Sequence, residues 1–150
     1  MYERILVPLD GSEPSRRALA EAIKLGRVCR STLVLLHVVE YVPVMVEMGS
    51  AGAWEVLRDD MRRHGQAVLD AGHREAVGAG LAAEAHLHDT GVARVCDVIV
   101  EQARERRCDL IVMGTHGRRG LSRALIGSDA ELVIRQGPVP VLLVRAAEPG

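Results

Sequence analysis

The stretch that decides the fold is Asp109-Leu-Ile-Val-Met-Gly114-Thr-His-Gly117, followed ten positions later by Gly127-Ser128. An apolar run of strand length is followed by a glycine-containing loop, and an amphipathic run begins where the loop ends. Chance would give the spacing G-x2-G-x9-G-S in about 1% of chains of this composition. A strand, a glycine loop and a helix N-terminus favour phosphate, because backbone N–H groups and the helix dipole attract anions. The predicted phosphate site consists of Gly114, Gly117, Gly127 and Ser128, with Met113 and Thr115 beside them.

Outward from this stretch, apolar runs of strand length alternate with amphipathic runs of helix length. The predicted strands are Ile5–Leu9, Thr32–Val39, Ala83–His88, Asp109–Gly114 and Val139–Arg145. The first predicted helix begins after a Ser12 cap, and the second spans about Trp54–Val77. The third runs from near Gly91 to Ala103, and the fourth spans Ser128–Gln136. This alternation predicts an α/β fold: one doubly wound five-stranded parallel sheet of order 3-2-1-4-5, Rossmann-like, with helices on both faces.

Helical spacing also predicts which side chains face the core. In the first helix, which has Pro14 in its first turn, these are Leu19, Ala22, Ile23 and Gly26. In the second they are Trp54, Leu57, Met61, Val68 and Ala71. In the third they are Val92, Val95, Cys96, Ile99, Val100 and Ala103. Residues 40–53 are expected to form a loop, because Pro43 and two glycines interrupt any pattern.

Asp10 is a second candidate site residue, because it ends the first strand in the turn Asp10-Gly11-Ser12. Ligands of doubly wound sheets bind beyond the carboxyl ends of the strands, at the switch point. If strands one and four are neighbours, the Asp10 turn and the Gly114 loop share one crevice. A carboxylate would repel phosphate, so a binding Asp10 must face the base, the ribose or a metal. The alternative is an Asp that only forms a turn before Gly11.

Composition narrows the class of protein. At 150 residues the chain is expected to form one domain, residues 1–150. A net charge of −1 and 2% aromatic residues argue against nucleic acid and anionic membranes as partners. Cys29, Cys96 and Cys108 have no metal-site spacing and are expected to be reduced, mostly buried thiols. Without a signal peptide or a membrane-spanning run, a cytoplasmic protein is expected.

At this point the chain resembles the universal stress proteins along essentially its whole length. The resemblance rests on Ile5–Ser12, Leu35–Val38, Asp109–Gly117, Gly127-Ser128 and Pro138–Val144. Because the glycine motif is intact, the resemblance implies the ATP-binding members of that family. It further implies that Asp10 and the Val38 backbone hold the adenosine, that the glycines and Ser128 hold the phosphates, and that two subunits pair through the last strand.

Several charged or polar side chains near the motif are candidate ligands or catalysts. Arg118, Arg119 and Arg123 lie in the spacer of the motif and either reach the phosphates or are merely solvated. His116 suits proton chemistry but has no evident carboxylate partner in the sequence.

The other histidines considered are not expected to bind a ligand. His86 and His88 share a strand face, but two ligands without a third make a poor metal site. His37 is expected to be a satisfied core histidine, and the Trp54 stripe is expected to be core. No catalytic and no metal-binding residue is therefore assigned.

Three functions remain open. The first is a stress-response module that binds ATP with Mg²⁺ and changes its dimer state or partner binding when occupied. The second is a slow ATPase or autokinase using the same crevice, although no Walker lysine and no base–nucleophile pair stand out. The third is a dimer that binds partners regardless of nucleotide. In each case the apolar strand from Val139 to Arg145, if it lies at a sheet edge, would be covered by pairing with a second copy.

Overall fold

The structure, a computed structural model, describes residues 1–41, 51–116 and 126–145. Its strands are β1 (Arg4–Pro8), β2 (Thr32–Val39), β3 (Ala82–Asp89), β4 (Leu110–Gly114) and β5 (Val141–Val144). Its helices are α1 (Glu13–Cys29), α2 (Ala51–Gly78), α3 (Val95–Glu105) and α4 (Ser128–Gln136). The strands form one five-stranded parallel sheet of order β3-β2-β1-β4-β5. The predicted α/β class and strand order are confirmed.

Two apolar cores lie on opposite faces of the sheet. One side of β1 and β2, including Ile5 and Leu33, packs against α1 and α2. The other side, including Leu6 and Val34, packs against α3 and α4. Because β4 is covered on both faces, all five of its residues are buried. The central strands are therefore rigid supports for whatever follows their carboxyl ends.

Helix α1 forms as its sequence predicts. The Ser12 Oγ accepts a hydrogen bond from the Ser15 N–H at 3.3 Å, and Pro14 lies in the first turn. Gly11, at φ +81°, turns the chain between β1 and the cap. The four predicted core positions Leu19, Ala22, Ile23 and Gly26 are all buried.

Helix α3 differs from its prediction. It begins at Val95, four residues after Gly91, and Val92 is fully exposed. Gly91 adopts φ +57°, a left-handed conformation that cannot continue into a right-handed helix. The Ala93 N–H bonds to the Thr90 carbonyl at 3.0 Å, which closes a turn there. Val92 thus matched the helical spacing without belonging to the helix.

Helix α2 and strand β5 also differ in part from their predictions. In α2 Ala71 is exposed, whereas the buried line runs through Gly65, Leu69, Gly72 and Ala76. Glycine lets this helix approach the sheet so closely that its buried line is rotated from the one that the apolar residues alone predict. Strand β5 begins at Val141 rather than Val139, since Pro138 and Pro140 have no N–H to donate to a ladder.

Candidate functional site

A cleft of about 970 Å³ lies at the carboxyl ends of β1, β2 and β4. It occupies the switch point, because β1 pairs with β2 on one side and with β4 on the other. The predicted site residues that line it are Asp10, Val38, Met113, Gly114, Thr115, Gly127 and Ser128. Gly117, Arg118 and Arg119, and also Arg123, lie outside the described residues. The crevice expected between the Asp10 turn and the Gly114 loop is therefore present.

The start of α4 is fixed to the end of β4. The Gly127 N–H donates to the Thr115 carbonyl at 2.7 Å, and the Thr115 N–H donates to the Val144 carbonyl at 3.0 Å. A Cβ on Gly127 would lie 3.1 Å from the Thr115 oxygen, so the contact leaves little room for a side chain. These bonds place the N-terminus of α4 at the wall of the cleft.

The N-terminus of α4 presents free backbone donors. Gly127 is the N-cap and Ser128 the first helical residue, so Ser128 does not cap the helix although its residue type suits a cap. Its side chain is exposed and forms no cap bond, because the loop closure puts Gly127 in the capping position. The first N–H bonded within the helix belongs to Glu131 and reaches the Gly127 carbonyl at 3.0 Å. Within the described ranges, the N–H groups of Ser128, Asp129 and Ala130 have no acceptor, which is the arrangement that binds anions.

Gly114 has a packing role that the sequence did not indicate. A Cβ at this position would lie 2.7 Å from the Pro14 Cβ and 2.9 Å from its carbonyl carbon. Backbone cannot yield as a side-chain end can, so only glycine lets the first turn of α1 pack against β4. The glycine is required whether or not a ligand approaches it.

Asp10 both forms the turn before α1 and lies at the cleft. Its Oδ1 accepts a hydrogen bond from the Ser12 N–H at 2.9 Å, so it does form the turn before α1. It also lines the cleft. A neutral amide could make the same turn bond, which leaves the carboxylate charge unexplained by the turn alone.

The described wall of the cleft is acidic. It carries Asp10, Glu40, Asp60 and Asp129, and the described lining residues include no lysine or arginine. Opposite charges must accompany any bound phosphate, because carboxylates at this range repel it. A divalent cation, or arginines of the spacer outside the described part, would provide that compensation.

His37 is a satisfied core histidine, as predicted, and also a wall of the cleft. It is 5% exposed, and its Nδ1 lies 2.7 Å from the Leu9 carbonyl. Since a carbonyl only accepts, Nδ1 carries a proton. The ring meets that of His64 edge-on, with centroids 6.4 Å apart. His37 directly precedes Val38 near the end of β2, and this position in the sequence could have identified it as a site residue.

His116 is the only described residue with a buried side-chain nitrogen or oxygen that has no partner. Its Nδ1 lies 3.0 Å from the Thr115 Oγ1, whereas its Nε2 is buried without a hydrogen bond. No described carboxylate is bonded to the ring, so the side chain lacks the usual partner of a catalytic histidine.

Sequence reasoning missed the side of the cleft formed by α2, which contributes Asp60, Met61 and His64. This helix is anchored at the end of β3, where Asp89 accepts a hydrogen bond from the Tyr41 hydroxyl at 3.0 Å and forms an ion pair with Arg62. Burial, and then Asp89, raise the pKa of Tyr41, so the phenol stays a donor at neutral pH. The available signal was Asp89, which directly follows the predicted strand Ala83–His88.

The other candidate side chains lie away from the cleft. His86 Nε2 is 3.0 Å from Arg106 Nη1 and 3.3 Å from Glu84. The part of the chain that the structure describes contains no group of three or more side chains suited to a metal. All three cysteines are free, as predicted, and burial raises the pKa of Cys108 to about 11. No helix of the described residues is long and apolar enough to span a membrane.

Comparisons with known proteins agree on one family. The profile of the universal stress protein family matches residues 1–145. Universal stress protein MJ0531 of Methanocaldococcus jannaschii is 34% identical over 145 residues, covering 97% of this chain and 83% of that protein. The solved structure of MJ0577, from the same organism, superposes with a TM-score of 0.84 at 26% identity and covers 99% of both chains. A universal stress protein in complex with cAMP superposes with a TM-score of 0.72 at 26% identity, covering 97% of this chain and 99% of that one.

Proposed function

The chain belongs to the universal stress protein family, and on that premise we propose that it binds an adenine nucleotide, ATP with Mg²⁺, in the cleft. The main support is the N-terminus of α4, where the N–H groups of Ser128, Asp129 and Ala130 have no acceptor within the described ranges. A second support is the solved relative at 26% identity that holds cAMP. An adenine nucleotide offers both an anionic end and an apolar base, and the cleft has a region suited to each.

The nucleotide would lie across the switch point. Its phosphates would take the α4 donors together with the Gly114 to Gly127 loop, and its adenosine would lie against Asp10 and the Val38 backbone. Apolar side chains near the adenosine end, including Val39 and Met61, would cover a base. The volume of about 970 Å³ is sufficient for a nucleotide with its hydration.

Magnesium is part of the proposal because of the acidic wall. ATP would bring several negative charges toward Asp10, Glu40, Asp60 and Asp129. Mg²⁺ prefers carboxylate and phosphate oxygens and would neutralise part of this charge. Arg118 and Arg119 are the proposed protein cations for the phosphates.

We also propose that the occupied cleft acts on a homodimer formed through Val139 to Arg145. Among the described residues strand β5 pairs only with β4 and so forms an edge of the sheet, and Leu142 there is 39% exposed. The same strand receives the Thr115 N–H at the Val144 carbonyl, 3.0 Å away. A ligand that contacts Thr115 would therefore act directly on the pairing strand, which is a physical basis for a switch.

A slow autokinase or ATPase is the alternative, and one contact favours it. The Thr115 hydroxyl lies 3.0 Å from the His116 Nδ1 at the cleft wall, which is a hydroxyl–imidazole pair. Incubation of purified protein with ATP distinguishes the two functions. Accumulating ADP, or a phosphate on Thr115, supports the enzyme, whereas unchanged ATP supports the binding module.

Titration calorimetry with Mg²⁺–ATP tests the binding proposal. Asp10→Asn keeps the oxygen that accepts from Ser12, and Ser128→Ala removes an exposed hydroxyl that caps nothing. Each variant is expected to melt like the wild type yet to bind ATP about 3- to 30-fold more weakly, as loss of one polar ligand contact predicts. Asp70→Asn, an exposed α2 position bonded only to Gln66, is the matched control. A wild type that binds no ATP at millimolar concentration would overturn the proposal.

A further inference from the structure

The protonation of His116 follows from its neighbour. The Thr115 side chain is buried at 7% exposure, and its hydroxyl must find an acceptor. The one partner that the described residues provide is the His116 Nδ1 at 3.0 Å. The hydroxyl therefore donates to Nδ1, and the ring proton resides on Nε2. Nε2 is then a buried N–H donor with no acceptor in the described chain.

His116 lies at the end of the cleft where α4 begins. His116 lines the cleft, and its Cα lies 3.6 Å from the point that a Cβ on Gly127 would occupy. Gly127 is the cap of α4, so the backbone of His116 lies beside the start of that helix. An acceptor bound at the start of α4 is therefore the candidate partner for Nε2.

We propose that the His116 Nε2–H donates to a phosphate oxygen of the bound nucleotide and so selects nucleotides over nucleosides. The inference rests on the proposed nucleotide function and adds a side-chain ligand to it. Phosphate is the fitting partner because its oxygens are charged acceptors and the described cleft wall offers them no lysine or arginine. The orphan nitrogen is thus a binding contact that is incomplete without the ligand.

Two substitutions separate the contact from a packing role. Gln extends far enough to place an amide N–H where Nε2 lies, whereas Asn reaches only the position of Nδ1. Adenosine, AMP and ATP with Mg²⁺ are titrated into wild type, His116→Gln and His116→Asn. His116→Asn is expected to bind AMP and ATP at least about tenfold more weakly and adenosine unchanged, and His116→Gln to recover most of the loss.

The outcomes are distinguishable. If wild type binds ATP and His116→Asn binds it equally well, this inference fails and the proposed function stands. Equal losses for adenosine and ATP would show a merely structural role and also overturn it. If wild type binds none of the three compounds, the proposed function fails and the inference with it.

Nitrogen NMR of wild type with ¹⁵N-labelled histidine gives a second readout should a variant not fold. The His116 Nε2 resonance is expected to shift as its N–H gains an acceptor when AMP is added, and not when adenosine is added. An Nε2 resonance indifferent to saturating AMP would contradict the contact.

Discussion

Gly65 affects both the packing of α2 and the shape of the cleft, because it lies against His37. A Cβ there would lie 2.4 Å from the His37 Cδ2 and 2.8 Å from the Leu87 Cδ1. The His37 ring cannot easily retreat, because it is 5% exposed and bonded through Nδ1 to Leu9 at 2.7 Å. Gly72 differs, since its Cβ would meet side-chain methyl groups, the nearest being the Leu9 Cδ1 at 2.8 Å.

Gly65→Ala is therefore expected to lower the free energy of unfolding by about 2 kcal/mol, the cost of overpacking, and to weaken nucleotide binding through His37. Gly72→Ala is the matched control. Its rotatable neighbours and the gain of about 1 kcal/mol in helix propensity should leave stability within about 1 kcal/mol of wild type. Urea denaturation of both variants measures this, and an equal or larger loss in Gly72→Ala would contradict the account.

Between elements, Arg4 and Glu84 join β1 to β3 across β2. The guanidinium donates two bonds to the carboxylate, Nη1 to Oε1 at 2.9 Å and Nη2 to Oε2 at 3.0 Å. This pairing is the main reason that the pKa of Glu84 is lowered, and it likewise raises the pKa of Arg4. Glu84 is 39% exposed, so solvent screening limits the gain to about 1 kcal/mol or less.

The sign of the pH effect follows from the lowered pKa. The folded state holds the Glu84 proton less tightly than the unfolded chain, so the contribution is present above the unfolded value of about 4.5. It is lost as the pH falls through the lower folded value. The stability difference between wild type and Glu84→Gln should therefore be largest near pH 7 and vanish in acid.

Chemical denaturation from pH 7 to pH 3 checks this dependence. Glu131→Gln, which removes an exposed pair with Arg135 within α4, is the control and should change little. A Glu84→Gln difference that grows as the pH falls would show that the pair does not behave as described.

The free edge of β5 carries the prediction for assembly. Leu142→Lys places a charge on the strand proposed to pair with its copy, where like charges would face each other. The proposal predicts that wild type is a dimer by light scattering and that the variant is a folded monomer at the same concentrations. Val28→Lys, on an α1 position that is 80% exposed, is the control and should stay dimeric. A dimeric Leu142→Lys protein would exclude this edge as the interface.

For the molecule as a whole, the sequence predicts topology better than local boundaries. Strict alternation of strands and helices predicts a doubly wound parallel sheet and leaves few right-handed arrangements, of which the observed order 3-2-1-4-5 is one. The start of α3 could not be predicted from the pattern, because Val92 continues the apolar spacing and only the φ of +57° at Gly91 breaks it. Propensity does not show which glycine is left-handed.

The candidate site was predictable where it lies on strand ends and unpredictable where it depends on packing. Asp10 and Gly114 share the cleft because parallel strands end at the same edge, whereas Val38 was named only through the family resemblance. Asp60 and His64 were missed, since the rotation of α2 is set by glycine contacts that the apolar pattern does not contain. That Gly117, Arg118 and Arg119 bind phosphate stays a prediction.

The most direct measurement for the central claim is mass analysis of small molecules released from freshly purified protein, supported by ATP calorimetry on wild type and Gly117→Val. The account predicts an adenine nucleotide in the wild type, and loss of binding in the variant with the fold intact, because a β-branched side chain would fill the phosphate cradle. An empty wild type that binds no ATP at millimolar concentration would mean that the glycine motif forms only a turn.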